Sequence, residues 1–175
     1  MRQSFRFVSL RKLSDAECIA IMDKDIGPFA RSIKRAKKAT EKIRIARQTI
    51  ATISAISKVD FLFFGKEPIG AIEYKLSTNP KRPHFHLSRI EVKMPFGIAR
   101  EFAKQFGKKT TPAHEMLKRA IKKSVPKTIG YTMLSDYGIR MVKRIFEKTT
   151  GRTGKGKPDH FMLDQIRKNA LRRRK

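Results

Sequence analysis

The segment KQFGKKTTPAHEMLKRAIKK, residues 104–123, combines lysines, a glycine and a helix start in the order that an anion site needs. Gly107 can bend the chain, Thr111 can cap the helix and Pro112 fits its first position. A basic glycine loop that leads into a helix binds phosphate through backbone N–H groups and the helix dipole. The side chains that would complete such a site are Lys104, Lys108, Lys109 and Thr110. The segment therefore predicts an anion site, with a basic surface loop as the alternative.

Other catalytic and ligand-binding patterns are incomplete in this sequence. FGKKTT is not a Walker A loop, because the GK pair lacks a following Ser or Thr and the upstream glycine is missing. His84 and His86 alternate onto one strand face without a third ligand nearby, so we interpret them as structural or surface residues rather than as a metal site. No paired carboxylates or Ser-His-Asp arrangement stands out. Cys18 has apolar neighbours and is predicted to be a buried thiol.

Charge is the extreme property of this chain of 175 residues, which has 42 Lys and Arg, 15 Asp and Glu, and a net charge of +27. Such a charge repels itself and favours polyanions, of which nucleic acid is the first candidate. Eight basic residues and one acidic residue fall between positions 31 and 47, and the last turns of the chain are also basic. A solvated helix face is the alternative interpretation. The residues predicted to contact nucleic acid are Arg31, Lys34, Arg35, Lys38, Lys42, Arg172, Arg173 and Arg174.

Membrane association is not indicated by the sequence. No apolar run is long enough to span a bilayer, and the N-terminal segment lacks the apolar core of a signal peptide. We therefore expect a cytoplasmic protein (or a virion protein, if it is viral) without a membrane partner.

The elements that would position these residues alternate between strands and helices. Strand alternation in HFHLSRIEV places Glu91 on the same side as Leu87 and Val92 on the opposite side. Ser14 can cap a helix that ends at Gly27. The predicted elements are a strand at 5–13, helices at 14–27 and 31–57, a hairpin at 60–76, a strand at 82–94, a looser basic segment at 95–109, a helix from 111, a strand at 127–134, and a helix that ends at 151.

In this order, FRFVSLRKLSDAECIAIM, FLFFGKEPIGAIEYKL, HLSRIEV and TIGYTMLSDYGIRMVKRIFEKTTG resemble the GNAT acyltransferase fold (the Gcn5-related N-acetyltransferases). The resemblance covers about residues 5 to 151. It implies an α+β fold in which a mixed central sheet is flanked by helices. Residues 1–151 would form this domain, and 152–175 would form a basic linker with a C-terminal helix and tail.

The resemblance also implies acetyl-CoA or another acyl-CoA as cofactor. In the family, the fourth strand ends at a valine whose backbone pairs with the pantetheine arm, which corresponds to Val92. The pyrophosphate loop Q/R-x-x-G-x-G/A is matched best by KQFGKK, which retains Gly107 but has Lys109 where a small residue is usual. PFGIAR, with Gly97 and Ala99, is the alternative position for this loop.

For catalysis, the resemblance implies that Glu91 on the fourth strand is the base that deprotonates an acceptor amine. The alternative is that Glu91 only pairs with a neighbouring arginine. The tyrosine that protonates the leaving thiolate in many members is replaced by Phe146, so Tyr137 and Tyr131 are its possible substitutes. Asp136 stands about where the family often has asparagine.

Three functions are compatible with these observations. The first is a divergent acyltransferase whose acceptor amine belongs to nucleic acid or to something bound to it, as in the Mom-like DNA modifiers of phages. The second is a non-catalytic, GNAT-like protein that packages or coats nucleic acid in a virion or ribonucleoprotein. The third is a basic DNA- or RNA-binding α+β domain without CoA ancestry.

Overall fold

The computed structural model describes residues 4–28, 38–77, 84–124, 128–131 and 136–151. For residues 128, 130, 131 and 136–139 it describes the backbone but not the side chain. Several sequence predictions lie outside the described residues, namely Arg31, Lys34, Arg35, Arg172, Arg173, Arg174 and the C-terminal extension at 152–175.

The described elements follow the predicted order with one addition, a helix between the fourth and fifth strands. In chain order they are β1 (Phe5–Ser9), a short 3-10 turn (Leu10–Lys12), α1 (Asp15–Asp23), α2 (Ala39–Ile56), β2 (Lys58–Phe64), β3 (Glu67–Leu76), β4 (His84–Val92), α3 (Phe96–Phe106), α4 (Pro112–Ser124), β5 (Thr128–Tyr131) and α5 (Asp136–Thr150).

The strands form a single five-stranded sheet in the order β1-β2-β3-β4-β5. Neighbours from β1 to β4 are antiparallel, whereas β5 is parallel to β4. Helices cover both faces, because alternate strand residues on each side are apolar and must be removed from water. The predicted α+β architecture, a mixed central sheet flanked by helices, is confirmed.

Two hydrophobic cores lie on opposite faces of this sheet. On one face, α1 and α2 pack over Phe61 and Phe63, which are fully buried. On the other face, α3, α4 and α5 pack over Phe85 and Leu87. Cys18 is buried in the first core, where burial raises the pKa of its thiol, so its predicted structural role is confirmed. None of the helices that the structure describes is long and apolar enough to cross a membrane.

Helix α3 corrects the prediction of a looser segment at 95–109. Ile98, Phe102 and Phe106 recur every four residues and form one apolar stripe. This stripe packs on the first strand, where the ring of Phe5 lies 5.1 Å from that of Phe102 and 5.7 Å from that of Phe106. The lysines and the glycine of the segment favour a loop, but the four-residue spacing of its apolar side chains makes it a helix.

Helix α1 begins with a capping box that is tied to β1. The Ser14 hydroxyl accepts a hydrogen bond from the Glu17 backbone N–H, and the Glu17 carboxylate accepts one from the Ser14 N–H. Arg6 of β1 also donates to Glu17. Burial acts to raise the pKa of Glu17, but the hydrogen bonds from Ser14 and Arg6 outweigh it and hold the pKa below 4.5.

Because the folded state lowers the pKa of Glu17, the charged carboxylate stabilises the fold above about pH 4.5 and ceases to do so as the pH falls through the lowered pKa. We expect Glu17→Gln to reduce the free energy of unfolding by about 0.5–1.5 kcal/mol at pH 7. The difference from wild type should narrow as the pH falls below about 4.5, as measured by urea unfolding across pH. Glu101→Gln, which alters an exposed pair with Lys104, is the control and should show little effect. A Glu17→Gln deficit that does not change with pH would contradict this assignment.

Candidate functional site

A β-bulge in β4 determines which side chains reach the candidate site. Two consecutive residues of β3, Glu73 and Tyr74, pair with Arg89 and Leu87, so Ser88 is an extra residue in β4. A bulge of this kind interrupts the two-residue alternation of a strand and re-aims the side chains that follow it.

The predicted alternation along β4 is therefore wrong beyond Ser88. Leu87 and Ile90, which regular alternation would place on opposite sides, both pack into the core under α4. Glu91 moves to the other face, where α1 and the turn after it lie. Simple alternation would place the Glu91 carboxylate on the same face as Leu87. Because of the bulge, it lies on the opposite face, away from that apolar core.

The carboxylate of Glu91 is held by the turn that follows α1. The Gly27 backbone N–H donates to Glu91 Oε2 at 3.0 Å, and the Lys93 ammonium lies 3.5 Å from Oε1. Arg89 does not pair with Glu91; its Nη1 donates to the Gly27 carbonyl at 3.1 Å. With 24% of its side chain exposed, Glu91 is fixed in position and still reachable from solvent. The described ion-pair partner of Glu91 is therefore a lysine and not the neighbouring Arg89, and this pairing does not decide whether Glu91 acts as a base.

Gly27 and Lys93 contact Glu91, and the sequence patterns predict neither contact. Gly27 adopts φ +71°, a left-handed conformation that suits glycine, and it packs closely on Phe61 and Ala71. Lys93 also donates to the backbone carbonyls of Lys24 and Asp25, which fixes the same turn. The sequence predicts Gly27 only as the end of a helix, although a glycine there is also a signal for a left-handed turn.

The described pairing between β4 and β5 extends as far as Leu87. Parallel pairing runs from His84 opposite Thr128 to Leu87 opposite Tyr131, whereas pairing with β3 continues to Val92. Within the described ranges, residues 88–92 have no strand partner on the β5 side, and we call this segment the open edge of β4. Its backbone N–H and C=O groups can pair with an added extended chain.

Helix α4 begins at the same end of the sheet as the open edge. A Cβ built on Gly70, which pairs with Val92, would lie 3.0 Å from Cε of Met116 in the first half of α4. It would also lie 2.9 Å from the carbonyl oxygen of Glu91. Gly70 therefore allows β3, β4 and the start of α4 to approach one another closely.

The segment between α3 and α4, residues 107–111, forms a compact turn in front of α4. Gly107 ends α3 with φ +94°, and its carbonyl accepts a hydrogen bond from the Thr110 N–H at 3.0 Å. The predicted cap is present, since Thr111 Oγ1 accepts a hydrogen bond from the His114 N–H at 3.2 Å. Lys108 and Lys109 are exposed beside this turn.

The anion-binding capacity of this turn is smaller than the sequence suggested. Pro112 has no N–H and the N–H of His114 is used by the cap, so of the first three helical residues only Ala113 keeps an N–H that the cap does not use. Lys104 belongs to the last turn of α3, and its ammonium lies 2.7 Å from the Glu101 carboxylate. Charge at this turn therefore comes mainly from Lys108 and Lys109.

The other predicted site residues are distributed unevenly. Asp136 and Tyr137 are the first residues of α5, but their side chains lie outside the described part of the structure. Phe146 is buried in the core. Lys38 is exposed just before α2, while Lys42 forms an ion pair with Asp23.

A metal centre is not assembled within the described residues. No group of three or more His, Cys, Asp and Glu side chains comes together there in a form that could hold a metal ion. The rings of His84 and His86 lie 6.4 Å apart on β4.

No protein-family model and no curated protein sequence matches this chain. Among solved structures, it is similar to a probable acetyltransferase at 9% identity and a TM-score of 0.49, over 88% of this chain and 94% of the other. An acetyltransferase of Trypanosoma brucei matches at 9% identity and a TM-score of 0.47, over 88% and 96% of the two chains. An aminoglycoside acetyltransferase from an uncultured soil metagenomic sample, in complex with sisomicin, matches at 7% identity and a TM-score of 0.45, over 89% and 91%. Identities this low and TM-scores below 0.5 establish neither the family nor the substrate of this chain, so its function must be argued from its own geometry.

Proposed function

We propose that this chain is a divergent GNAT-fold acyltransferase that transfers an acyl group from acyl-CoA to an amine. The observation that carries the proposal is the end of β4 at residues 88–92, where no described residue pairs with the strand on the β5 side and where Val92 lies beside the start of α4. An extended ligand with amide groups can add to such an edge through main-chain hydrogen bonds, as a further strand would. The pantetheine arm of acyl-CoA has this character.

The turn at 107–111 supports the same ligand. Gly107 lies in open space, so the backbone there can be approached closely, and Lys108 and Lys109 provide two exposed positive charges for the pyrophosphate. The side chains of Thr110 and Thr111 border the turn. Lys109 replaces the small residue of the family motif; its exposure lets the side chain extend into solvent rather than fill the turn.

When acyl-CoA is bound, it supplies an activated thioester carbonyl. Glu91 then accepts a proton from the acceptor amine, which makes the amine nucleophilic. Gly27 and Lys93 hold the carboxylate on the face of the sheet that carries α1 and α2, so the acceptor approaches from that side. We assign the proton donor for the leaving thiolate to Tyr137, with Asp136 beside it, because these residues begin α5, the helix that follows β5 in the chain.

We further propose that the acceptor amine belongs to nucleic acid or to a molecule bound to it. The support is the net charge of +27 and the exposure of Lys38, which precedes α2 on the acceptor side. DNA modification in the manner of Mom-like phage proteins is the narrowest form of this proposal. It rests on the charge and on the Ser-Asp pair at 135–136.

A specific observation favours the second candidate, a non-catalytic protein that packages nucleic acid. Phe146 stands where the family resemblance implies a catalytic tyrosine, and it is a core residue with 3% of its surface exposed. A buried phenylalanine cannot donate a proton. If neither Tyr137 nor Tyr131 replaces it as the proton donor, the chain would have the fold and the positive charge but would not catalyse acyl transfer. The third function, a basic DNA- or RNA-binding domain, would have the same properties.

Thermal unfolding with each ligand separates these functions. We expect saturating acetyl-CoA to raise Tm, because a ligand at 100 times its Kd stabilises the native state by about 2.7 kcal/mol. The shift should persist at high salt. A short DNA duplex should also raise Tm, but this shift should fall steeply with salt, since phosphate contacts release counterions. If DNA raises Tm in a salt-sensitive way and acetyl-CoA does not raise it at all, the acyltransferase proposal is wrong and the packaging function is supported.

Matched variants locate the cofactor site in the same assay. Replacement of both Lys108 and Lys109 by glutamine should weaken acetyl-CoA binding. Replacement of the exposed Lys66 and Lys75 by glutamine removes the same charge but should leave acetyl-CoA binding unchanged. Gly97→Ala tests the alternative loop position, because Gly97 has no heavy atom within 4 Å of its added Cβ. Loss of acetyl-CoA binding in Gly97→Ala would indicate that the segment PFGIAR, and not KQFGKK, binds the pyrophosphate.

A further inference from the structure

A cavity of about 360 Å³ lies where β2 extends past the end of β1. It is bounded by the end of α2 on one face of the sheet and by the end of α4 on the other. It shares no lining residue with the open edge of β4, with the turn at 107–111 or with Glu91. Its volume is near the lower end of the range of about 300–1,000 Å³ that is typical of small-molecule pockets.

The charged groups around this cavity leave an excess of positive charge. Asp60, 6% exposed, accepts hydrogen bonds from Lys123 Nζ at 3.1 Å and from the Tyr74 hydroxyl at 3.3 Å. Burial and the charge of Asp60 raise the pKa of Tyr74, so its phenol keeps the proton that it donates. Arg11 and Lys58 also line the cavity, and neither forms an ion pair with a described acidic residue.

Two serines that line the cavity carry buried hydroxyls. Ser57 is 7% exposed, and Ser57 Oγ and Ser54 Oγ have no hydrogen-bond partner among the residues that the structure describes. A buried hydroxyl without a partner costs about 1–3 kcal/mol, so nearly all such groups in native proteins are satisfied by protein, water or ligand. Arg11 is fixed beside them, since its Nη2 donates to the Ser54 carbonyl at 3.0 Å.

We propose that this cavity binds a small organic anion. Its carboxylate or phosphate group is held by the guanidinium of Arg11 and the ammonium of Lys58, and its remaining polar atoms by the hydroxyls of Ser57 and Ser54. Leu10 and Val59 provide apolar contact for its carbon skeleton. The volume limits the part of the ligand that the cavity encloses to about the size of a metabolite. This site shares no lining residue with the acyl-transfer site proposed above, and its binding can be measured without acyl-CoA.

The test is to titrate small anions into the full chain at a salt concentration that screens surface charge. Binding is monitored by calorimetry and by NMR of the backbone amides. The probes are inorganic phosphate, glycerol 3-phosphate and lactate, with glycerol as the neutral control. We expect saturable binding with a stoichiometry of one for at least one anion and none for glycerol. Chemical-shift changes should concentrate at residues 9–11 and 54–60. Tighter binding of glycerol 3-phosphate would identify the anionic group of the ligand as a phosphate, and tighter binding of lactate would identify it as a carboxylate.

Variants decide whether the cavity or the general surface charge binds the probe. Lys58→Met and Arg11→Met should each weaken binding by at least about tenfold, the scale of one charged hydrogen bond. Lys66→Met, at the other end of β2, removes the same charge and should leave the affinity unchanged. Ser57→Ala alters no charge, is expected to fold, and should also weaken binding. Absence of saturable binding for all anions, or equal weakening by Lys66→Met, would overturn the proposal.

Discussion

Glu91→Gln is expected to lower the rate of acyl transfer by about 10²–10⁴-fold while acyl-CoA binding is retained. Glutamine preserves the shape of the side chain, and its carbonyl oxygen can still accept the hydrogen bond from Gly27. It cannot take a proton from an amine. The measurement is transfer of labelled acetyl from acetyl-CoA to duplex DNA and to a lysine-rich peptide, with acetyl-CoA binding measured in parallel.

A comparison of kcat with acyl-CoA affinity distinguishes a base from a residue that only holds the turn after α1. A base acts on the chemical step, so the loss in Glu91→Gln should appear in kcat while the affinity for acyl-CoA is unchanged. Glu101→Gln removes an exposed carboxylate of the same charge and should keep the wild-type rate. A Glu91→Gln enzyme with full activity would exclude Glu91 as the base.

Gly70→Ala is expected to destabilise the fold by about 1–3 kcal/mol, the usual cost of overpacking a well-packed interior. The added methyl group would lie 2.9 Å from the carbonyl oxygen of Glu91, so β3 and β4 would have to separate. Gly97 is the matched comparison, because an added Cβ there meets nothing within 4 Å and the residue lies in a helix. Gly97→Ala should be neutral or stabilising by up to about 1 kcal/mol. Urea unfolding of both variants gives the comparison.

Met116 provides a check on the cause of this destabilisation. Its Cε lies 3.0 Å from the same methyl position, but a methionine side chain can move, whereas the strand carbonyl cannot. Gly70→Ala should therefore remain destabilising in a Met116→Ala background. If the cost disappears there, the methionine and not the strand pairing is the constraint.

Local signals in the sequence predicted much of the fold. The capping box of Ser14, the cap of Thr111, the hairpin around Gly65 and the burial of Cys18 depend on residues close together in the chain. These features follow from hydrogen-bonding and conformational preferences that operate within a few residues. The sheet order and the helices on both faces then follow from apolar periodicity.

The environment of Glu91 was not predictable in the same way. Gly27 and Glu91 are separated by 64 positions, and their hydrogen bond exists only once α1 packs against the sheet. Periodicity alone placed the carboxylate on the wrong face, because the extra residue at the bulge cannot be seen from alternation. The apolar spacing of α3 was visible in the sequence but was outweighed by its lysines and glycine.

Ser88 has a consequence for how this chain can vary. Because Ser88 is the extra residue, a chain without it would alternate regularly from Leu87 through Arg89 and Ile90 to Glu91, and Ile90 and Glu91 would keep their present faces. A regular strand that retained Ser88 would instead exchange the face of Glu91 with that of Ile90. In evolutionary terms, loss of this residue is compatible with the observed faces, whereas its presence requires the bulge.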